Sequence, residues 1–146
     1  MQVEIKIENS CKEPKIIILT PSMTEEVYSH IKKLSDDVPQ VITGTRNGKH
    51  EVLEQADLIR IYAENGKVVA ITSNGAYTLR MRLYEIEGKL NPHQFVRISN
   101  SEIINLKKVL NFDFSFTGTI CVKLLNGSTT YVSRRYVAKI KKLLGI

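Results

Sequence analysis

A chain of 146 residues that is 42 % hydrophobic and 25 % charged is one domain, or one domain with an extension, and holds enough apolar side chains for a packed core, which argues against disorder. No apolar run approaches the roughly 18–20 residues of a membrane span, and the charge-alternating start Met-Gln-Val-Glu-Ile-Lys-Ile-Glu is not a signal peptide, so the cytoplasm is the expected location. The formal net charge of +6 is unevenly placed: acids and bases balance up to Asp113, and every charged residue after it is basic, which points to a polyanion met by one part of the surface.

In chain order, Val3, Ile5 and Ile7 alternate with polar residues and predict a half-buried strand. The continuous run Ile16-Ile17-Ile18-Leu19 predicts a strand buried on both faces. Ser22-x-x-Glu25 reads as a capping box, and Met23, Val27, Ile31 and Leu34 recur behind it at helical spacing until Pro39. The organisation changes at Val38-Pro39-Gln40. A boundary there gives residues 1–38 as a strand–strand–helix extension, a candidate dimerisation element, and residues 39–146 as the main domain, with the two packed together.

Beyond the boundary, four Asn-Gly dipeptides, at 47–48, 65–66, 74–75 and 126–127, each suit a type I′ turn, because both central residues need positive φ. They predict a meander of short antiparallel strands, placed at about 40–46, 50–53, 58–63, 67–73, 95–98, 107–114, 119–125 and 129–132. Leu79, Leu83, Ile86 and Leu90 mark a second helix, stopped before Pro92. In the last helix Tyr136, Val137, Ile140, Leu143 and Leu144 share one face, basic residues take the other, and Ser133 is the natural N-cap.

Chemistry is hard to find. His30, His50 and His93 have no partner at metal-ligand spacing, and Cys11 and Cys121 share no motif and read as idle thiols in a reducing compartment. There is no glycine-rich phosphate loop and no nucleophile elbow, and the carboxylates sit in polar helix faces. The expectation is a non-enzyme with no catalytic residues, metal, cofactor or small-molecule substrate.

Two segments invite a binding role. Lys139, Lys141 and Lys142 complement the C-terminal end of a helix dipole, but Arg134 and Arg135 lie in its first turn, where positive charge is mildly unfavourable. They are better placed to meet phosphate or a guanine edge. Ser99-Asn100-Ser101 gathers compact donors and acceptors between two apolar runs. It reads either as a turn closed by its own side chains or as a loop offering an amide and hydroxyls to a nucleic acid.

At these segments the sequence resembles the LytTR family of bacterial DNA-binding domains. That family carries Phe-x-Arg-x-His-Arg-Ser-x-x-Val-Asn followed by Asn-Gly…Val-Ser-Arg-Arg-Tyr…Lys. The matches are Phe95, Arg97, Ser101, Ile104-Asn105-Leu106, Asn126-Gly127 and Val132-Ser133-Arg134-Arg135-Tyr136, with a weaker one from Asp57 to Gly66. The similarity covers roughly residues 40–146.

The resemblance implies a mainly β fold with some helix (α+β), a stack of short antiparallel sheets with about ten strands and two to three helices. It implies a sequence-specific transcriptional regulator that contacts successive major grooves of double-stranded DNA, at direct repeats in promoters, through loops. Carried over residue by residue, the contacts fall on Asn65 and Lys67, on Ser99, Asn100 and Ser101, and on Ser133, Arg134 and Arg135, with Lys139 supplying phosphate charge. The length before the domain suggests the stand-alone type without a receiver domain, a homodimer at least on DNA, with a small membrane protein as a candidate regulator. The family's His-Arg is Ser99-Asn100 here, and because Asn pairs bidentately with adenine where Arg prefers guanine, a shifted target sequence is expected. The alternative is an RNA- or protein-binding module on the same fold, with Tyr62, Tyr77 and Tyr131 as a stacking platform.

Overall fold

The structure, a computed structural model, describes residues 2–34 and 41–146. After an irregular segment, α1 spans Glu25–Leu34. Then follow β1 (Ile42–Arg46), β2 (Lys49–Leu53), β3 (Leu58–Glu64), β4 (Lys67–Thr72), β5 (Gly75–Leu79), α2 (Leu83–Lys89), β6 (Phe95–Ser99), β7 (Glu102–Asn105), β8 (Val109–Asp113), β9 (Ile120–Leu124), β10 (Thr129–Val132) and α3 (Arg134–Leu144). Ten antiparallel strands and three helices among the described residues agree with the expected mainly β fold with helix.

The strands form a seven-stranded sheet in the order β2-β1-β5-β4-β3-β7-β6 and a three-stranded sheet in the order β10-β9-β8. The large sheet is buried on both faces at its β3-β7-β6 end. Successive side chains of a strand point to opposite faces, so Ile103 joins the core under α2 while its neighbour Ile104 joins the core shared with the small sheet. Phe95 and Val96 divide in the same way. The first core gathers Ile42, Leu58, Ile61, Leu79, Leu83, Ile86 and Leu90. The second sandwiches Ile98 and Ile104 against Ile120, Val122, Leu124, Val132 and Ile140 of α3.

Several expectations are corrected. Neither N-terminal strand forms: residues 2–20 carry no strand, and Val3, Ile5, Ile7, Ile16, Ile17 and Leu19 are all exposed. Alternation signals a strand only where it pairs with an edge and covers a core, and none of the described strands pairs with residues 2–20. The helix opens at Thr24, whose Oγ1 accepts from the Val27 N–H at 3.3 Å, so Ser22 is not its cap. Leu79 ends β5 rather than starting α2, because the Gly75 turn folds 75–79 back on β4. The short β7 lies outside the expected strands. Asn47-Gly48 and Asn65-Gly66 have positive φ at both residues, as type I′ turns require, whereas in the other two pairs only the glycine does. On α3, Ile140 is buried and Tyr136 and Val137 are half-buried, but Leu143 and Leu144 are exposed. Ser133 stands at the N-cap position, yet its side chain makes no capping bond. The expected boundary at 38–40 lies outside the described residues.

Candidate nucleic-acid interface

Three loops are tied together at one end of the large sheet. Asn65-Gly66 turns β3 into β4, and Asn65 and Lys67 stand exposed at the tip. β3 pairs with β7 (Ile61 opposite Ile103), and the ladder continues past β7 as the Ala63 N–H donates to the Ser101 carbonyl at 2.8 Å. The hairpin tip therefore lies beside the 99–101 turn between β6 and β7. The same turn is fastened to the start of α3: the Ser133 N–H donates to the Ile98 carbonyl at 2.9 Å, and the Tyr136 hydroxyl donates to Asn100 Oδ1 at 3.1 Å.

Within the turn, Ser99 Oγ accepts from the Ser101 N–H at 3.1 Å and lies 3.3 Å from Ser101 Oγ. Closing the loop on its own hydroxyls leaves the Asn100 side chain exposed at its apex. Beneath it, Arg97 is 5 % exposed and holds the turn from below. Its NH1 donates to the Asn100 carbonyl at 2.7 Å, and its guanidinium also pairs with Glu87 of α2 at 3.0 Å and with Glu25 of α1 at 3.6 Å. Asn105, fully buried, donates from Nδ2 to the Leu58 carbonyl at 2.7 Å and accepts the Lys107 N–H at 3.0 Å, fixing where β7 ends. Arg97, Asn105 and Tyr136 match the family pattern, but spacing assigns them no task. Burial and hydrogen bonding give Arg97 and Tyr136 one, as supports of the 99–101 turn, and give Asn105 another at the far end of β7.

The basic residues differ in setting. Arg134 lies across the backbone of Gly118, in the β8–β9 loop, where a Cβ would meet its Nε at 3.1 Å. The Thr119 hydroxyl donates to the Val132 carbonyl and keeps that loop against the foot of α3. Arg135 and Lys139 are exposed, and among the described residues no carboxylate pairs with Arg134, Arg135, Lys139 or Lys67. The nine expected contact residues belong to the loops, to the strand ends beside them (Lys67 of β4, Ser99 of β6) or to α3, with Ser99 and Ser133 half-buried and the others exposed.

An open cleft of about 560 Å³ lies behind the hairpin, lined by residues that include Arg60, Glu64, Glu102, Asn126 and Ser128. Glu102 bridges the sheets across it, accepting from Arg60 of β3 at 3.0 Å and from Thr130 of β10 at 2.9 Å. Burial pushes the Glu102 carboxyl above its ordinary value, and Arg60 and Thr130 only partly offset it. The three tyrosines form no common platform: Tyr77 is buried with Arg46 over its ring, Tyr62 lies under Arg60, and Tyr131 meets Phe116 edge-on. Among the described residues no group of His, Cys, Asp and Glu has metal-site geometry, and no helix is long and apolar enough to cross a membrane.

Residues 48–145 match the LytTr DNA-binding domain family. A protein of Staphylococcus aureus (strain NCTC 8325 / PS 47), named an uncharacterized HTH-type transcriptional regulator, is 35 % identical over all of this chain and 99 % of its own length. Its namesake in strain MRSA252 is 34 % identical over the same shares. A solved LytTr DNA-binding domain from Bacillus cereus superposes with a TM-score of 0.71 at 22 % identity, covering 75 % of this chain and all of that one. With two thirds of its length matched and the same stack of short sheets, the chain belongs to the LytTr DNA-binding domain family.

Proposed function

We propose that this chain, a DNA-binding transcription regulator, reads duplex DNA with loops rather than with a recognition helix. The observation that carries the reading is the fastening of the Asn65-Gly66 hairpin, the 99–101 turn and the start of α3 into one edge, on which, among the described residues, Lys67, Arg134, Arg135 and Lys139 pair with no carboxylate. Asn100 and Arg135 contact bases in the major groove, and Ser99, Ser101, Ser133, Arg134, Asn65, Lys67 and Lys139 position the duplex through its phosphates. Two loop clusters along one face of the duplex enter successive major grooves. α3 packs beside β6 through Ile140, which joins the core shared by the two sheets, and its lysines give affinity without sequence preference. Asn100 biases one position of the site toward adenine.

The protein acts without catalysis, in the cytoplasm, on direct repeats in promoters. It binds as a homodimer through the extension of residues 1–38, and a small membrane protein is a fitting regulator of that extension. Selecting bound duplexes from a random pool, then repeating the selection with Asn100→Ala, tests the reading. A recovered repeat that loses an adenine preference in the variant supports it, and a guanine requirement abolished by Asn100→Ala counts against it. Sedimentation with and without DNA tests the dimer, and a monomer at every concentration rejects it.

A further inference from the structure

Residues 2–20 lie outside the matched DNA-binding domain, yet the alignments with the staphylococcal relatives run through them, over all of this chain. The segment carries six exposed large aliphatic side chains, with Val3 at 85 %, Ile5 at 83 %, Ile7 at 90 % and Leu19 at 92 % exposure. Along it, among the described residues, a single backbone–backbone hydrogen bond is made, from the Cys11 N–H to the Glu8 carbonyl at 3.1 Å. A row of unsatisfied amides beside alternating aliphatic side chains is a strand edge awaiting a partner.

The sequence specifies which partner. Resting on the dimer reading above, we infer that residues 2–8 pair antiparallel with the same residues of a second copy of this chain, about a two-fold axis at Ile5. In that register Glu4 faces Lys6 of the second copy and Lys6 faces its Glu4. Val3 faces Ile7, and Ile5 faces its own equivalent, so every aliphatic residue meets an aliphatic one on the same face. A shift by one residue sets aliphatic residues against charged ones, and a two-residue shift that centres Lys6 or Glu4 sets like charges face to face. The interface is isologous, as a two-fold dimer requires. α1 is not available for this role, because it is already docked in its own chain: Tyr28 packs edge-on against Tyr84 at 5.6 Å, and Lys32 Nζ donates to the Leu90 carbonyl at 3.2 Å. The arms therefore join two DNA-binding bodies by a short ribbon.

Charge reversal in the full chain tests the register. Glu4→Lys and Lys6→Glu each place like charges opposite one another twice in the homodimer, and each should weaken self-association about tenfold by sedimentation equilibrium. Mixing the two variants restores both opposite-charge pairs, so the mixture should dimerise like the unmodified protein, as should the double variant E4K/K6E. In a Cys11→Ser background, Ile5→Cys should give a disulfide-linked dimer on mild oxidation and Ile7→Cys should not, since only facing residues come within the about 4.4–6.8 Å Cα separation a disulfide needs. A dimer indifferent to all these changes overturns the arm pairing and leaves the dimer reading intact. A chain monomeric throughout overturns both.

Discussion

At the level of single residues, binding divides into side chains that touch DNA and side chains that hold them. Arg135→Ala should cost about 1–3 kcal/mol and relax preference at one base pair. Lys139→Ala should weaken all sequences alike and lower the salt slope by about one phosphate's share. Fluorescence anisotropy on cognate and scrambled duplexes over a salt series separates the two. Tyr136→Phe removes only the hydroxyl that holds Asn100, so thermal stability should fall by no more than about 0.5–1.5 kcal/mol, the worth of one hydrogen bond. Discrimination at the Asn100 position should fall with it, and unchanged discrimination would refute the clamp. The proposed contacts at Ser99, Asn100, Ser101, Arg134 and Arg135 stand out in sequence because charge at the wrong end of a helix dipole and a cluster of short polar groups are visible there. Arg97 was legible only as a motif letter. Its partners, Glu25, Glu87 and the Asn100 carbonyl, come from three elements, and spacing cannot foresee that meeting.

At the level of elements, the hairpins were readable and the N-terminal strands were not. Asn65-Gly66 fixes β3 against β4 by local geometry alone. Alternation over residues 2–8 makes a strand only when a partner edge pairs with it, and none of the described strands does. β5 and β7 escaped because each carries an aliphatic spacing that also fits a helix or a loop, and only pairing decides. The docking of α1 rests on a small residue: a Cβ on Gly88 of α2 would come within 2.3 Å of the Tyr28 ring. α1 has no buried residue, so Gly88→Ala should dislodge it without unfolding the body. Hydrogen exchange should show faster exchange at 25–34 with α3 and the strands unchanged. Because Glu25 leaves Arg97 with the displaced helix, DNA affinity should drop modestly as well.

At the level of the whole molecule, the two sheets meet through the Ile104–Val122 core and through Glu102, whose carboxyl is pushed up by burial. A folded-state pKa above the unfolded one means that the native protein holds this proton more tightly. The contribution to stability is then fully present below the ordinary glutamate pKa and is lost as pH rises through the folded value. Urea unfolding of the unmodified protein and Glu102→Gln between about pH 4 and 7 should show the unmodified protein losing ground to the variant as pH rises. A difference independent of pH would contradict this. The joined sheets present the hairpin tip, the 99–101 turn and the start of α3 on one edge. Guanine N7 methylation interference on a selected duplex tests major-groove reading by that edge most directly, since N7 lies in the major groove. The account predicts two clusters of interfering guanines about 10 base pairs apart on one face of the duplex; a single cluster, or none with protection confined to the minor groove, would contradict it.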